Sequence, residues 1–150
     1  MFQNSYLKST ASVFGHPLHP IFVVFPIAFL IGAFITDLVY LNTKLDYWAL
    51  MSFWLIVSGF VTGLVAAIFG LIDFSTIKEA RSRPAGWIHF LGNVIVILLA
   101  LTNWSMRMGS GEVVVSSTGL FLSLCTTILL FITGWFGGEL SYRYKIGVHP

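Results

Sequence analysis

The sequence predicts an all-α integral membrane protein folded as an up-and-down four-helix bundle, and three observations carry that prediction. Hydrophobic residues make up 57% of the 150 positions, charged residues 9%, and the mean hydropathy is +0.88. Soluble domains carry about 25% charged residues, and in water a chain this apolar would expose large apolar patches. Second, four stretches each supply the roughly 20 apolar residues that a bilayer crossing needs. Third, the links between them are short, which makes sequential neighbours antiparallel.

The first apolar run covers about residues 21–41 and follows a polar leader. It is long and lacks a small-residue cleavage site, so it reads as a crossing helix and not a cleaved signal peptide. The second, about 47–72, carries Gly59 and Gly63, a small-xxx-small pair that Ala66, Ala67 and Gly70 extend. Such a strip lets another helix approach closely, within the bundle or across a homodimer. The third run, about 86–106, has His89 in its first turn, and the fourth covers about 113–136. Trp48, Trp54, Trp87, Trp104 and Trp135 fall mostly near run ends, as interfacial anchors do. The 14 phenylalanines suit lipid, and would equally wall a flat cofactor. Residues 1–150 form one domain, and no internal repeat is evident. Cys125 stands alone inside an apolar run, so no disulfide framework or thiolate cluster is available.

With four crossings, both termini and the middle connection share one side. That side holds Lys8, Lys78, Arg81, Arg83, Arg143 and Lys145, against Lys44 and Arg107 on the other. The bias of basic residues toward the cytoplasm therefore places the termini there.

All four histidines fall on the terminal side: His16 and His19 in Gly15-His16-Pro17-Leu18-His19-Pro20, then His89 and His149. Imidazole is costly near a membrane and is a common ligand for iron, zinc and copper, so this convergence is the strongest functional signal in the chain. His16 and His19 are three apart, the spacing that places two side chains on one face of a helical turn. Pro17 and Pro20 suit a first turn and stiffen the approach. A rigid helix entrance is the plain alternative. His149 is nearly terminal and a poor ligand candidate.

Two carboxylates need partners, because a charge inside the bilayer costs several kcal/mol unless paired. Asp37 lies at the edge opposite the histidines, within reach of Asn103, Trp104 or Arg107 near the end of the third run. Asp73 lies at histidine depth. It is placed either to accept the second ring N–H of a ligating imidazole or to pair with Lys78 or Arg81. No phosphate loop, paired catalytic carboxylates or serine–histidine–acid arrangement occurs. The basic residues are too few and dispersed for nucleic-acid recognition. Four unbroken runs do not suggest a transporter.

These motifs together resemble the bacterial membrane proteins grouped as domain-of-unknown-function family 2231, over nearly the whole chain. The matching marks are His16-Pro17-Leu18-His19-Pro20, Phe25-Pro26-Ile27, Asp37-Leu38, Gly70-Leu71-Ile72-Asp73-Phe74 and His89-Phe90-Leu91-Gly92-Asn93. Gly134-Trp135-Phe136-Gly137-Gly138-Glu139-Leu140 and Tyr142-Arg143 complete them. The resemblance implies a bacterial inner membrane and a redox context, since similar domains occur joined to Rieske iron–sulfur or c-type cytochrome modules. Relatives often place a histidine after the tyrosine–arginine pair, where this chain has Tyr144.

Three readings follow. The first is an electron carrier without catalysis of its own, holding haem b between His89 and His16 or His19, with Arg81, Arg83, Arg143 and Lys145 meeting the propionates. The second is a zinc or copper site of His16, His19 and His89 with Asp73 in support. The third is a cofactor-free subunit that assembles with redox proteins. Electron donors and acceptors, whether proteins or quinone, are not specified by the sequence.

Overall fold

Pro17 sets the start of the first helix. Its backbone is extended (φ −66°, ψ 129°), and α1 (Leu18–Thr43) begins at the next residue. The helix ends where Lys44 adopts the left-handed conformation (φ 56°) and donates its N–H to the Tyr40 carbonyl, 2.8 Å away. Asp46 then opens α2 (Asp46–Thr76), a carboxylate at the positive end of the helix dipole. A single-turn helix, α3 (Lys78–Ser82), leads to α4 (Pro84–Met108), which has proline at its first position, where a missing N–H costs nothing. The Ser116 hydroxyl caps α5 (Ser117–Gly138) by accepting from the Gly119 N–H at 3.0 Å. That helix widens into a π-helical turn at Glu139–Arg143. The computed structural model describes residues 7–108 and 115–148.

The four long helices are each apolar and long enough to cross a membrane, and the protein is an all-α integral membrane bundle. They run past the ends that hydropathy alone marks. The connection expected over residues 73–85 is mostly helical, because α2 continues to Thr76 and α3 follows. The fourth helix is the exception at its start: Val115 and Ser116 are not helical and the helix begins at Ser117, later than the expected 113, while residues 113–114 lie outside the described residues.

Packing builds the bundle from two hairpins, α1 on α2 and α4 on α5, which meet through α2–α4 and α1–α5. Helices α1 and α4 therefore face each other diagonally. Leu30, Val96, Ala100 and Leu130 form the buried centre. The small-residue strip of α2 receives α1: Gly59 lies against Leu30, Gly63 against Pro26 and Gly70 against His19. Close approach inside the bundle is therefore one use of the strip.

The segment before α1 folds across the end of the bundle. β1 (Ser12–Val13) and β2 (His16–Pro17) form a two-residue hairpin. Its turn, Phe14 (φ 48°) and Gly15 (φ 80°), has both residues left-handed, as a type I′ turn requires. Leu7 pairs with Ile146, and its carbonyl accepts from the Gly147 N–H at 2.7 Å.

Candidate functional site

Two of the histidines converge. His19, in the first turn of α1, reaches across to α2, where its Nδ1 lies 2.9 Å from the Ala66 carbonyl oxygen. His89, in the second turn of α4, reaches α5, with Nδ1 2.8 Å from the Thr133 carbonyl oxygen. A carbonyl oxygen has no proton to give, so both Nδ1 atoms donate. In the neutral ring the lone pair is then left on Nε2.

Glycine makes each of these bonds accessible. Ala66 and Thr133 lie four residues before Gly70 and Gly137. In a helix the side chain at that position crowds the carbonyl a turn earlier. A Cβ on Gly70 would stand 2.8 Å from His19 Nδ1, and one on Gly137 2.8 Å from His89 Cε1. Each ring therefore lies in a notch that only glycine leaves open. Asn93 donates to the His89 backbone carbonyl at 2.7 Å, filling the next turn of α4.

The two rings meet edge-on, with centroids 5.8 Å apart and planes at 89°. They border a cavity of about 370 Å³ whose wall is mainly aliphatic and aromatic, with Val23, Ile27, Leu71, Phe90, Ile97 and Leu130 among its residues. The cavity lies between the hairpins and draws on all four crossing helices.

His16 does not join the pair. It stands in β2, exposed, with Nδ1 3.1 Å from the Phe14 carbonyl, and it does not line this cavity. A spacing of three puts two side chains on one face only within a helical turn, and the helix starts at Leu18, after His16. Among the described residues, no group of three or more His, Cys, Asp or Glu side chains comes together as a metal site. His149 lies outside the described residues.

Asp73 follows neither expected course. Its carboxylate accepts from Ser9 Oγ at 2.7 Å and from the Thr10 and Ala11 N–H groups at 2.8 and 2.9 Å. The imidazoles use backbone carbonyls instead, and the carboxylate fastens the N-terminal segment to α2. Nor do the arginines line the cavity. Arg83 stacks over Tyr144 at 4.6 Å from the ring centre. Arg143 pairs with Glu139 at 2.8 Å, and the Arg81 carbonyl accepts from Trp87 Nε1.

At the opposite end, Asp37 and Arg107 form a buried ion pair at 2.8 Å, with 0% and 2% of their side chains exposed. Asn103 Oδ1 accepts from Arg107 Nε, and the hydroxyls of Ser52 and Ser123 both donate to the Asp37 carboxylate. Of the three partners that the sequence offers Asp37 (Asn103, Trp104 and Arg107), Arg107 is bonded to it and Asn103 acts one step removed, through Arg107 and Ser123, while the two serines carry no sequence signal beyond being small and polar in apolar runs.

The fold and site define a four-helix integral membrane protein with a pair of carbonyl-anchored histidines at one end and a buried ion pair at the other. The family model described as predicted membrane protein (DUF2231) matches residues 15–150, and the chain belongs to that family. No curated protein and no solved structure matches the chain.

Proposed function

We propose that this protein is a membrane-embedded b-type haem protein that carries electrons, and that His19 and His89 are the residues that would hold the haem iron. The observation that carries the reading is the paired geometry: two imidazoles on diagonal helices, each anchored through Nδ1 and each with Nε2 free to bind. Metal–imidazole bonds of about 2.0 Å on opposite sides of one ion put ring centres about 6 Å apart. The rings here are 5.8 Å apart. A slot between two hairpins, each offering one ligand, suits a flat macrocycle better than a compact tetrahedral ion, which needs ligands from four directions.

Haem, when bound, supplies a one-electron redox centre. The chain's own residues do the rest. His19 and His89 would together hold the iron of such a group, and two protein ligands on it would favour electron carriage over bond-making chemistry. Gly70 and Gly137 fix the ring directions by admitting the carbonyl bonds, and the wall around the rings is mainly apolar. The distribution of basic residues supports a bacterial inner-membrane protein with this site near the cytoplasmic face, exchanging electrons with redox partner proteins.

The test is optical. Detergent-purified protein is expected to show a Soret band that shifts on dithionite reduction. His19→Ala and His89→Ala should each abolish it, whereas His16→Ala should leave it. A protein that stays colourless after incubation with haemin overturns the reading.

A further inference from the structure

A second recess lies beside the histidine-pair cavity, at the end of the bundle where the N-terminal hairpin meets the turn after α5. It is open, measures about 610 Å³, and includes Phe14, His16, Pro17, Pro20, Ser141 and Tyr142 in its wall. Pro17, Pro20, Ser141 and Tyr142 belong to both walls, so the two spaces adjoin. The geometry points to this recess as a binding site for a quinone or hydroquinone head group.

Four observations support that occupant. Among the described residues no Lys, Arg, Asp or Glu lines the recess, which disfavours a phosphate or carboxylate ligand and favours a neutral one. Its few polar groups complement the two oxygens of such a ring. His16 Nδ1 donates to the Phe14 carbonyl, so Nε2 of the neutral ring is an acceptor, suited to a hydroquinone O–H. The hydroxyls of Ser141 and Tyr142 are donors suited to a quinone carbonyl.

Phe14 supplies the third observation. It is 98% exposed and holds a left-handed backbone (φ 48°), a conformation that favours Asn or Gly and is unfavourable for a bulky side chain. A strained, fully exposed aromatic ring has no packing role here, and it borders the recess together with Tyr142, itself 80% exposed. Two such rings can stack on the faces of a planar ligand. Last, the recess sits at the ends of membrane-crossing helices, where an isoprenoid tail can remain in lipid while the head group enters from the side.

The recess is built without His19 or His89, so its occupancy does not depend on what that pair holds. The experiment uses the full-length protein in lipid nanodiscs and decylubiquinone as the probe, with binding followed by equilibrium titration. An azido-quinone label mapped by mass spectrometry locates the site. Saturable binding is expected, with label in residues 14–20 and 141–148. His16→Ala should weaken it about tenfold, the worth of one hydrogen bond in a partly buried site. Phe14→Asn, which relieves the backbone, should raise the thermal midpoint yet weaken binding severalfold. Partitioning that does not saturate, label placed elsewhere, or equal affinity in both variants and the parent overturns the proposal. A colourless protein that still binds the probe through His16 supports this site while ending the haem reading.

Discussion

Gly137→Ala is the sharpest perturbation of the histidine pair, because it adds one methyl group and removes no ligand. The new Cβ would stand 2.8 Å from His89 Cε1 and 2.9 Å from Nδ1, where ordinary contact begins at 3.4 Å. The ring must therefore withdraw by about 0.6 Å. Its hydrogen bond to Thr133, now 2.8 Å, would stretch beyond the normal N–H···O range of about 2.7–3.2 Å. Overpacking costs about 1–3 kcal/mol and the lost bond about 1 kcal/mol, partly offset by about 1 kcal/mol from alanine's better helix propensity. The bundle should thus lose only about 1–3 kcal/mol and remain folded. Ligation should suffer more, because weakening the group that orients a metal-binding histidine typically costs about 10–100-fold in affinity. The matched control is Gly32→Ala on α1, whose Cβ would meet Leu55 at an ordinary 3.6 Å. Haem content by pyridine haemochrome, read beside thermal unfolding, separates the two effects. If Gly137→Ala keeps parental haem content and spectrum, the notch does not position His89 and the reasoning fails.

Three further outcomes follow from the same geometry. Arg107→Met leaves Asp37 buried without its cation and should cost about 3–5 kcal/mol, while the double variant Asp37→Leu, Arg107→Met should recover most of it; unfolding in mixed micelles measures both, and equal losses would refute the pairing argument. Asp73→Ala removes three hydrogen bonds to residues 9–11 and should make the N-terminal segment cleavable by limited proteolysis without changing haem content; unchanged resistance would show that the segment is held elsewhere. With imidazole planes at 89°, the oxidised protein should give the strongly anisotropic low-spin electron paramagnetic resonance signal of perpendicular ligands, and a rhombic signal would show that the rings turn on binding.

The bundle was legible in the sequence because membrane crossing imposes length and hydropathy on whole segments, and those survive any error at their ends. The ion pair was legible for a related reason: a buried Asp37 must have a cation, and few are available at that depth. Which histidines converge was harder. His16 and His19 look alike in the text, because each precedes a proline and each is biased toward extended backbone; His16 follows that bias in the hairpin, whereas His19 is already inside a helix that starts at Leu18. Gly70 was visible only as part of a strip for helix packing. Its second use, opening the Ala66 carbonyl to a ring, depends on which residue of α1 arrives opposite it, and sequence does not say.

A repeat is also present in form, though not in residue type. His19 and His89 are 70 positions apart, as are Asp37 and Arg107, so α1 and α4 each carry an imidazole near one end and a charge 18 residues later. Eighteen residues make five helical turns, which puts both groups on the face turned to the bundle axis, about 27 Å apart. The leading helices of the two hairpins thus carry their polar groups at the same spacing. The two helices differ at the charge because like charges facing each other there would repel, and opposite ones lock. A slip of one residue between α1 and α4 would move a ring about 1.5 Å along the axis and 100° around it. It would also break the bidentate Asp37–Arg107 contact, which accepts no alternative register. A buried ion pair adds little net stability, because desolvation offsets much of its attraction. In this bundle its two-bond geometry matches one rotation and height of α1 and α4, the helices that also carry His19 and His89.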